Sequence, residues 1–346
     1  MTIRIGINGV GRVGRNLWRI IHTSAPDLTV AAANDTADLS TLAHLLRYDT
    51  VRGRFPGTIE TGPGALVVDG SPVPVSHEPA PERIDWGSHG VDLVVEATGE
   101  FVRGDRARGH LRGGAPLVVI TTATPDADVC LMLGVNEQVF HPERHRVVSN
   151  SCCSAYCIAA AVSPLLAAYG IVSGTVCLAY SHGSRPGPLL DDDPAGSGAA
   201  GPGTPRNLRI ARANAINLVP ANVPGVRHAL ERVLPALAGR ISATAVRVPV
   251  RATSAAALTL RLARPAAAPE VNATLRAAAA SLLKPYLEVR DQPLVSADVL
   301  GATASCVVDA SLTASLGDLV RVVGWYDNEW GYAHRLVDLA RYLCSG

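Results

Sequence analysis

The beginning of the chain changes from a strand pattern to a helix pattern within about 20 residues. Residues 2–7 alternate apolar and polar positions and lead into the glycine-rich segment 8–14. In residues 15–22 the apolar positions recur at the three-to-four-residue spacing of an amphipathic helix. The pattern therefore predicts a strand, a tight glycine turn and a helix in this order.

Further apolar runs over the first half predict a parallel sheet. Residues 28–33 and 65–68 predict strands, and residues 91–97 and 117–121 are nearly continuous apolar runs. Continuous runs are typical of parallel strands that helices cover on both faces. We expect a doubly wound α/β domain of the Rossmann type.

The second half shows a different arrangement of strands and helices. Strands are predicted at 174–182, 246–250, 257–262, 305–310 and 319–325, with helices at 271–283 and 332–343. This order is consistent with an α+β domain on an antiparallel sheet. We expect one domain from residues 1–151 with 329–346, and a second from 152–328.

The glycine segment has the spacing of a dinucleotide-binding turn. Gly9 and Gly11 would permit the tight turn and the close approach of a pyrophosphate, while Gly14 would let the helix pack closely on the strand. Asp35 ends the next strand, where an acid accepts hydrogen bonds from ribose hydroxyls. A carboxylate there would repel a 2′-phosphate and so favours NAD, although the adjacent Thr36 leaves NADP possible.

Other polar residues follow the later strands of the same sheet. Thr98 and Gly99 follow one strand, and Thr121 ends the next. Open α/β sheets bind ligands at the carboxyl ends of their strands, so these three residues are candidates for cofactor binding.

A cysteine marks the junction between an extended segment and a helix. Residues 147–152 read as extended, and the apolar run 158–166 predicts a helix that begins near Cys153. Unsatisfied N–H groups and the helix dipole favour a thiolate there and can lower the thiol pKa below its usual value of about 8.5. Cys153 is a candidate nucleophile. The alternative is that Cys152, Cys153 and Cys157 are small buried hydrophobic residues.

Composition and charge narrow the function classes. The formal net charge is +1 with acids and bases interspersed, which does not favour nucleic acid or an anionic membrane as a partner. Lys284 is the only lysine, so Schiff-base chemistry is improbable. Seven irregularly spaced cysteines indicate a reducing compartment, and we expect a cytoplasmic protein without a metal site or a membrane-spanning segment.

Six segments, in order over nearly the whole chain, resemble the glyceraldehyde-3-phosphate dehydrogenase family. The resemblance implies a Rossmann domain, a catalytic domain, a homotetramer, and a cysteine, here Cys153, that adds to an aldehyde. The segments are Ile-Gly-Ile-Asn-Gly-Val-Gly-Arg-Val-Gly-Arg at 5–15, Asn-Asp at 34–35, Leu-Leu-Arg-Tyr-Asp-Thr at 45–50 with Gly-Arg-Phe at 53–55, Glu-Ala-Thr-Gly at 96–99, Ser-Asn-Ser-Cys-Cys at 149–153, and Trp-Tyr-Asp-Asn-Glu-Trp-Gly-Tyr at 325–332.

The resemblance also implies roles for residues that spacing alone does not single out. Asn328 matches the residue that hydrogen-bonds the nicotinamide amide, and Arg247 matches the substrate-phosphate arginine. Ser154 is implied at the substrate. The remaining implied cofactor residues are Asn8, Arg12, Val13 and Tyr332.

The chain departs from the family where a catalytic histidine is expected. Counting without a gap from Cys153 places Tyr180 at that position, and shifting the strand to match the family pattern places Leu178 there. Residues two apart on a strand share a face, so Tyr180 and His182 would point toward the same pocket. His182 could act as a displaced base, or Tyr180 as a proton donor; alternatively, His182 is a solvated residue at the strand end.

Two further departures concern anion binding. The segment 183–205 is rich in turn formers and somewhat longer than the family loop, and Arg185 within it could hold an anion. Val223 and Pro224 replace a family Thr-Gly pair that binds inorganic phosphate. Valine has no hydroxyl and proline has no N–H, so this phosphate site is expected to be weakened or lost.

We therefore expect an NAD(P)-dependent oxidoreductase that acts on an anionic aldehyde or acyl-thioester through a cysteine hemithioacetal, with an altered substrate or acceptor. One alternative is an ordinary phosphorylating glyceraldehyde-3-phosphate dehydrogenase that tolerates the substitutions. The other is a catalytically weak NAD-binding paralogue with a regulatory role.

Overall fold

The chain folds into two compact units. A computed structural model describes residues 2–182, 209, 212–213 and 215–345. Unit 1 consists of Met1–Cys152 together with Tyr332–Gly346, and unit 2 consists of Cys153–Gly331.

Unit 1 alternates strands and helices along the chain. Its helices are α1 (Arg12–Ser24), α2 (Leu39–Arg47), α3 (Gly104–Ala107), α4 (Gly109–Arg112) and most of α8 (Trp330–Cys344). Its strands are β1 (Ile3–Asn8), β2 (Leu28–Asn34), β3 (Tyr48–Asp49), β4 (Gly53–Arg54), β5 (Ile59–Gly62), β6 (Ala65–Val68), β7 (Ser71–Ser76), β8 (Leu93–Glu96), β9 (Val118–Ile120), β10 (Val129–Cys130) and β11 (Val147–Ser149).

Nine of these strands form one sheet in the order β10-β11-β9-β8-β1-β2-β7-β6-β5. Pairing is parallel from β10 to β7 and antiparallel from β7 to β5. The register pairs Asn8 with both Asn34 and Glu96, and Glu96 with Ile120, so four carboxyl ends meet at one edge. A ligand edge of this kind is what the sequence predicted for unit 1.

Unit 2 is a layer of helices on a mixed sheet. Its helices are α5 (Cys153–Tyr169), α6 (Pro224–Val233) and α7 (Ala268–Ala280). Its strands are β12 (Ile171–Ser181), β13 (Val219–Asn222), β14 (Ile241–Val248), β15 (Thr253–Leu262), β16 (Leu287–Arg290), β17 (Cys306–Asp309), β18 (Ala314–Leu316) and β19 (Leu319–Asp327).

These eight strands follow the order β13-β14-β12-β15-β19-β17-β16, with β18 paired to β19. Most neighbours are antiparallel, as predicted, but β12 runs parallel to β14 and β16 parallel to β17. The predicted fold class is therefore confirmed, with a sheet that is mixed rather than purely antiparallel.

Helix α5 fixes the position of Cys153 in unit 2. Nearly all of its first three turns are buried, because alanine, cysteine and other small or apolar residues surround the axis. The helix packs on β12, β15, β17 and β19. A helix that is apolar all round must be buried, and its first residue is thereby held against the sheet.

Strand β12 shows which face of this sheet the helix covers. Val176 and Leu178 are buried, while Cys177 and Ala179, which alternate with them along the strand, are exposed. The alternation gives the sheet one face under α5 and one face without a covering helix in the described part of unit 2. Within the described ranges, no helix is both long enough and apolar enough to cross a bilayer.

Gly324 is required where β19 passes beneath α5. A Cβ atom at this position would lie 2.6 Å from Sγ of Cys306 and 3.2 Å from Sγ of Cys157. We expect Gly324→Ala to lower the free energy of unfolding by about 1–3 kcal/mol, because overpacking forces both sulfurs or the backbone to move.

Urea unfolding monitored by circular dichroism measures this loss. Gly225→Ala serves as the control, since no heavy atom lies within 4 Å of its Cβ position. Adding Cys306→Ala to the Gly324→Ala variant should restore part of the loss. Equal stability of Gly324→Ala and the wild type would contradict the packing account.

Candidate active site

The turn between β1 and α1 depends on two close approaches of the backbone. Gly9 has φ +94°, and a Cβ there would lie 2.7 Å from the backbone N of Thr98. A Cβ on Gly14 would lie 2.1 Å from the carbonyl oxygen of Gly9. These contacts bring the turn, the helix and the neighbouring strand end together, which no other residue type permits at these two positions.

Gly11 differs because it faces open space. No heavy atom lies within 4 Å of its Cβ position, and no side chain caps the helix that follows it. Arg12 and Val13 open this helix and are half-buried. An open helix start with N–H groups that no side chain caps is suited to an anionic group such as a pyrophosphate.

Asp35 is held in place at the same edge of the sheet. Its Oδ2 accepts a hydrogen bond from Val10 N at 2.7 Å, and its Oδ1 accepts one from Ala37 N at 2.9 Å. The residue is partly exposed. A fixed carboxylate beside an open glycine turn fits the ribose of a dinucleotide, so these residues fit NAD.

The turns after β8 and β9 are both attached to Glu96. Thr98 donates hydrogen bonds from its N–H and its hydroxyl to Oε1 of Glu96, and Thr121 donates from both groups to the Glu96 carbonyl. Gly99 has φ +75°. The side chain of Asn8 is buried and donates to Glu96 Oε2, so it serves this network instead of facing open space.

Tyr332 is buried and supports the turn after β11. Its hydroxyl donates to the carbonyl oxygens of Asn150 at 3.3 Å and Ser151 at 3.5 Å. Ser151 has φ +53°, which is unusual for a residue with a side chain. In the structure the Tyr332 hydroxyl therefore holds a strained turn, a role that the sequence expectation of cofactor contact did not include.

In unit 2 the candidate nucleophile lies beside a tyrosine. Cys153 is the first residue of α5 and is partly exposed. Its Sγ is 3.6 Å from the hydroxyl of Tyr180, which lies on the α5 side of β12. Leu178 is fully buried in the core, so Tyr180 is the residue beside the sulfur.

The surroundings of Cys153 oppose ionisation. Burial raises the pKa of the thiol above its ordinary value of 9.0, and hydrogen bonds from Tyr180, Ser154 and backbone N–H groups offset only part of that increase. The sequence argument expected the helix start to lower this pKa. The shift has the opposite sign, because among the described residues no cationic group is one of the causes that offset desolvation of the sulfur.

A second tyrosine supports the residue after the nucleophile. The hydroxyls of Ser154 and Tyr326 are 2.8 Å apart, and both residues are buried. Burial raises the pKa of Tyr326 well above 10.0, and the charges that Cys153 and Tyr180 would carry raise it further. Tyr326 therefore remains protonated. Sequence reasoning missed this role, although the period-two pattern of β19 puts Tyr326 on the same face as Val322.

Arg247 is brought next to Tyr180 by strand register. The two residues are paired across the parallel strands β12 and β14, so their side chains leave the sheet on the same side. Arg247 is half-buried. A guanidinium here can bind a phosphate or a carboxylate. Arg185, the other candidate for anion binding, lies outside the described residues.

His182 does not continue the strand. Strand β12 ends at Ser181, and His182 lies in a short helical turn with its N–H donating to Val250 O. The strand alternation that predicted a shared face for Tyr180 and His182 therefore ends one residue before His182, and a role for His182 beside Cys153 stays a prediction.

Asn328 is oriented by two serines that the sequence did not reveal. Its Oδ1 accepts hydrogen bonds from the hydroxyls of Ser181 at 3.2 Å and Ser254 at 3.5 Å. The amide oxygen therefore faces these hydroxyls, and the amide nitrogen Nδ2 is the end that they do not contact. An amide donor held this way is suited to a carboxamide oxygen, and only the tertiary structure brings the two serines to it.

The start of α6 lacks a hydroxyl group. Val223 occupies the position before the helix, no side chain caps it, and Pro224 is the first helical residue. Threonine at this position would supply a hydroxyl, and a residue other than proline would supply an N–H. Across the described ranges, no group of three or more His, Cys, Asp or Glu residues could hold a metal ion.

Comparisons with known proteins agree over both units. The model of the glyceraldehyde 3-phosphate dehydrogenase NAD binding domain matches residues 3–104, and that of the C-terminal domain matches residues 151–328. Glyceraldehyde-3-phosphate dehydrogenase 1 of Streptomyces avermitilis is 43% identical over 342 residues, covering 98% of each chain.

Two other relatives give the same result. Glyceraldehyde-3-phosphate dehydrogenase 2 of Streptomyces arenae is 43% identical over 347 residues, covering 100% of this chain and 99% of its own. Glyceraldehyde-3-phosphate dehydrogenase of Geobacillus stearothermophilus is 40% identical over 348 residues, with the same coverage. The chain belongs to the glyceraldehyde-3-phosphate dehydrogenase family, whose members are NAD-dependent oxidoreductases.

Proposed function

We propose that the protein interconverts an anionic aldehyde and its acyl-thioester on Cys153, with Tyr180 exchanging the proton on the carbonyl oxygen. The observation that carries the proposal is the distance of 3.6 Å between Cys153 Sγ and the Tyr180 hydroxyl. A nucleophile within reach of a proton-transferring group is the arrangement that covalent catalysis requires.

Each step follows from these two side chains. The Cys153 sulfur attacks the aldehyde carbon, and the thiol proton passes to the oxygen, giving a hemithioacetal. Loss of a hydride from carbon and of the hydroxyl proton then leaves a thioester. NAD, held by Gly11 and Asp35 of unit 1, would accept the hydride. In oxidation Tyr180 takes the hydroxyl proton from the substrate oxygen as its own phenolic proton passes to solvent, and in reduction it donates its proton to that oxygen. Ser154 supports the sulfur from the next position.

Tyrosine in place of histidine should change the rate of oxidation relative to the rate of reduction. An unperturbed phenol has a pKa of about 10, which makes it a poor base and a competent acid at neutral pH. A protonated Tyr180 can donate to the oxygen of an acyl-thioester as hydride arrives. We propose that reduction suffers less from this substitution than oxidation does.

The substrate carries a negative charge. Arg247 beside Tyr180 would hold its anionic end. We propose the same role for Arg185 from the sequence alone. The start of α6 supports a change in the acceptor: Val223 and Pro224 offer neither hydroxyl nor N–H to inorganic phosphate. Water or another acceptor then resolves the acyl-enzyme.

We assign NAD rather than NADP as the cofactor. The Asp35 carboxylate is fixed by two backbone N–H groups, so it cannot easily turn away from a 2′-phosphate. Thr36 beside it is exposed and adds no positive charge. We also propose a cytoplasmic location, which is supported by seven cysteines that are all free thiols.

A patch of small uncharged residues on the sheet of unit 2 supports a homotetramer. The side of the sheet opposite α5 has Thr175, Cys177 and Ala179 on β12, which pair with small residues on both neighbouring strands. A flat surface of this composition suits an isologous interface with a second copy of the chain.

An ordinary phosphorylating dehydrogenase is the second candidate. The curated relatives carry the name glyceraldehyde-3-phosphate dehydrogenase at 43% identity, which favours the unchanged activity. The substitutions at Tyr180 and Val223 favour a change.

Rapid mixing with glyceraldehyde 3-phosphate and NAD tests the proposed function. We expect a burst of NADH that needs no inorganic phosphate and is absent from Cys153→Ser, because the acyl-enzyme forms before any acceptor is used. Tyr180→Phe should slow the burst roughly a hundredfold. The double variant Val223→Thr/Pro224→Gly should gain phosphate-dependent turnover.

The outcomes separate the alternatives. Strong phosphate-dependent turnover by the wild type would identify an ordinary phosphorylating enzyme. NAD binding without a burst, for this substrate and for short-chain aldehydes and acyl-thioesters, would instead indicate a binding protein.

The raised pKa of Cys153 gives a pH prediction. At neutral pH the group is a thiol, so its alkylation by iodoacetamide should be slow and should rise continuously up to and above pH 9.0. Tyr180→His should accelerate alkylation at pH 7, since an imidazolium stabilises the thiolate. Peptide mass spectrometry follows the reaction, with glutathione in the same solution as the reference thiol. A rate that levels off below pH 7 in the wild type would refute this account.

Charge on the open sheet face should break the assembly. We expect the wild type to sediment as a tetramer and Cys177→Arg to sediment as a smaller species, because arginine would be buried without a partner. Leu282→Arg is the control, since Leu282 is 74% exposed and lies just after α7. A monomeric wild type, or a Cys177→Arg variant that remains tetrameric, would count against the interface.

A further inference from the structure

Unit 1 contains a buried carboxylate whose contacts are all hydrogen-bond donors. Glu96 ends β8 and is 1% exposed. Its Oε2 accepts from Asn8 Nδ2 at 2.5 Å and from His110 Nε2 at 3.0 Å. Its Oε1 accepts from the N–H of Thr98 at 2.8 Å and from the Thr98 hydroxyl. Each oxygen therefore receives two hydrogen bonds.

The proton on His110 is fixed by a tryptophan. The indole N–H of Trp86 lies 3.0 Å from His110 Nδ1. Because an indole can only donate, Nδ1 must accept and Nε2 must carry the proton that faces Glu96. Both rings are fully buried. A second proton on Nδ1 would oppose the indole N–H, so His110 is a neutral donor.

The amide of Asn8 is fixed in the same way. Its Oδ1 accepts from Asn34 Nδ2 at 2.8 Å, which turns its own Nδ2 toward Glu96. Asn34 cannot reverse, since its Oδ1 accepts from Ser76 Oγ and Glu78 N while its Nδ2 also donates to Glu78 O. A chain of oriented donors thus leads from β2 and β7 to the carboxylate.

Only a carboxylate satisfies these four donors. An amide at position 96 would offer one accepting oxygen and one donating nitrogen. In either orientation of the amide, the nitrogen would face groups that are themselves donors. A buried group without an acceptor for its donors costs free energy. Position 96 therefore requires a carboxylate group, whose two oxygens both accept hydrogen bonds.

The two ends of this carboxylate support two different turns. Through Asn8 it fixes the end of β1, from which the glycine turn of Gly9 begins, and through Thr98 it fixes the turn after β8. These turns already meet, because Ala97 N donates to Asn8 O and a Cβ on Gly9 would lie 2.7 Å from Thr98 N. We propose that Glu96 is a positioning residue for the dinucleotide, holding the Gly9 and Thr98 turns at the spacing that the cofactor needs. The proposal rests on the assigned nucleotide site of unit 1 and is independent of the substrate.

Calorimetric titration of the full chain with NAD tests this role without catalysis. Glu96→Gln should raise the Kd for NAD about tenfold, the effect of losing one hydrogen bond to a charged group. Glu82→Gln is the matched control, because Glu82 is an acid on the surface of the same unit that lies 3.8 Å from Arg112. Its Kd should stay within about twofold of the wild type.

The titration also distinguishes positioning from stability. A purely structural role would lower the melting temperature and the number of binding sites while leaving the Kd of the folded molecules unchanged. That result would overturn the proposal. Failure of the aldehyde assay would not affect this measurement, so a wrong substrate and a wrong role for Glu96 give different results.

A double-mutant cycle tests the path through Thr98. Thr98→Val removes the hydroxyl that donates to Glu96, and Thr98→Ser keeps it. If Glu96 acts through this turn, Glu96→Gln/Thr98→Val should have the same Kd for NAD as Glu96→Gln. If the double variant instead raises the Kd by the product of the two single effects, the proposal is contradicted. Should Glu96→Gln fail to fold, the Thr98 variants still decide: weaker binding by valine than by serine supports the role, and equal binding refutes it.

Discussion

The packing of α5 on the sheet of unit 2 is the interaction on which the chemistry of this protein depends. The helix is buried on almost every side, and its first residue is Cys153, the candidate nucleophile. The same packing that fixes Cys153 beside Tyr180 also limits the access of water to the sulfur. Position and reactivity are therefore opposed, since the contacts that orient the thiol also raise its pKa.

A histidine at position 180 would resolve this opposition, because its cationic form would stabilise a thiolate. Tyrosine supplies a hydrogen bond but no positive charge. The half-buried Arg247, which is paired in register with Tyr180, is the nearest candidate for positive charge that the strand order provides. Tyrosine at this position thus keeps a hydroxyl close to the sulfur but changes the electrostatics around it.

Unit 1 also contains a buried ionisable group, but it is a carboxyl group instead of a thiol. Glu96 is also buried, and Thr98, Asn8 and His110 all donate hydrogen bonds to its carboxyl oxygens. Four hydrogen bonds replace the solvation that the carboxylate loses. Cys153 also receives hydrogen bonds, but sulfur accepts them weakly, so burial still raises the pKa of its thiol.

The sequence by itself determined the fold class, the family, the glycine turn and the helix start at Cys153. Each of these follows from local periodicity or from residues close together in the chain. The tertiary structure decided between Tyr180 and Leu178, ended β12 before His182, and brought Ser181 and Ser254 to Asn328. It also set the direction of the Cys153 pKa and assembled the donors around Glu96. Those features depend on strand register and on burial by distant segments, and the sequence pattern carries no direct information about either.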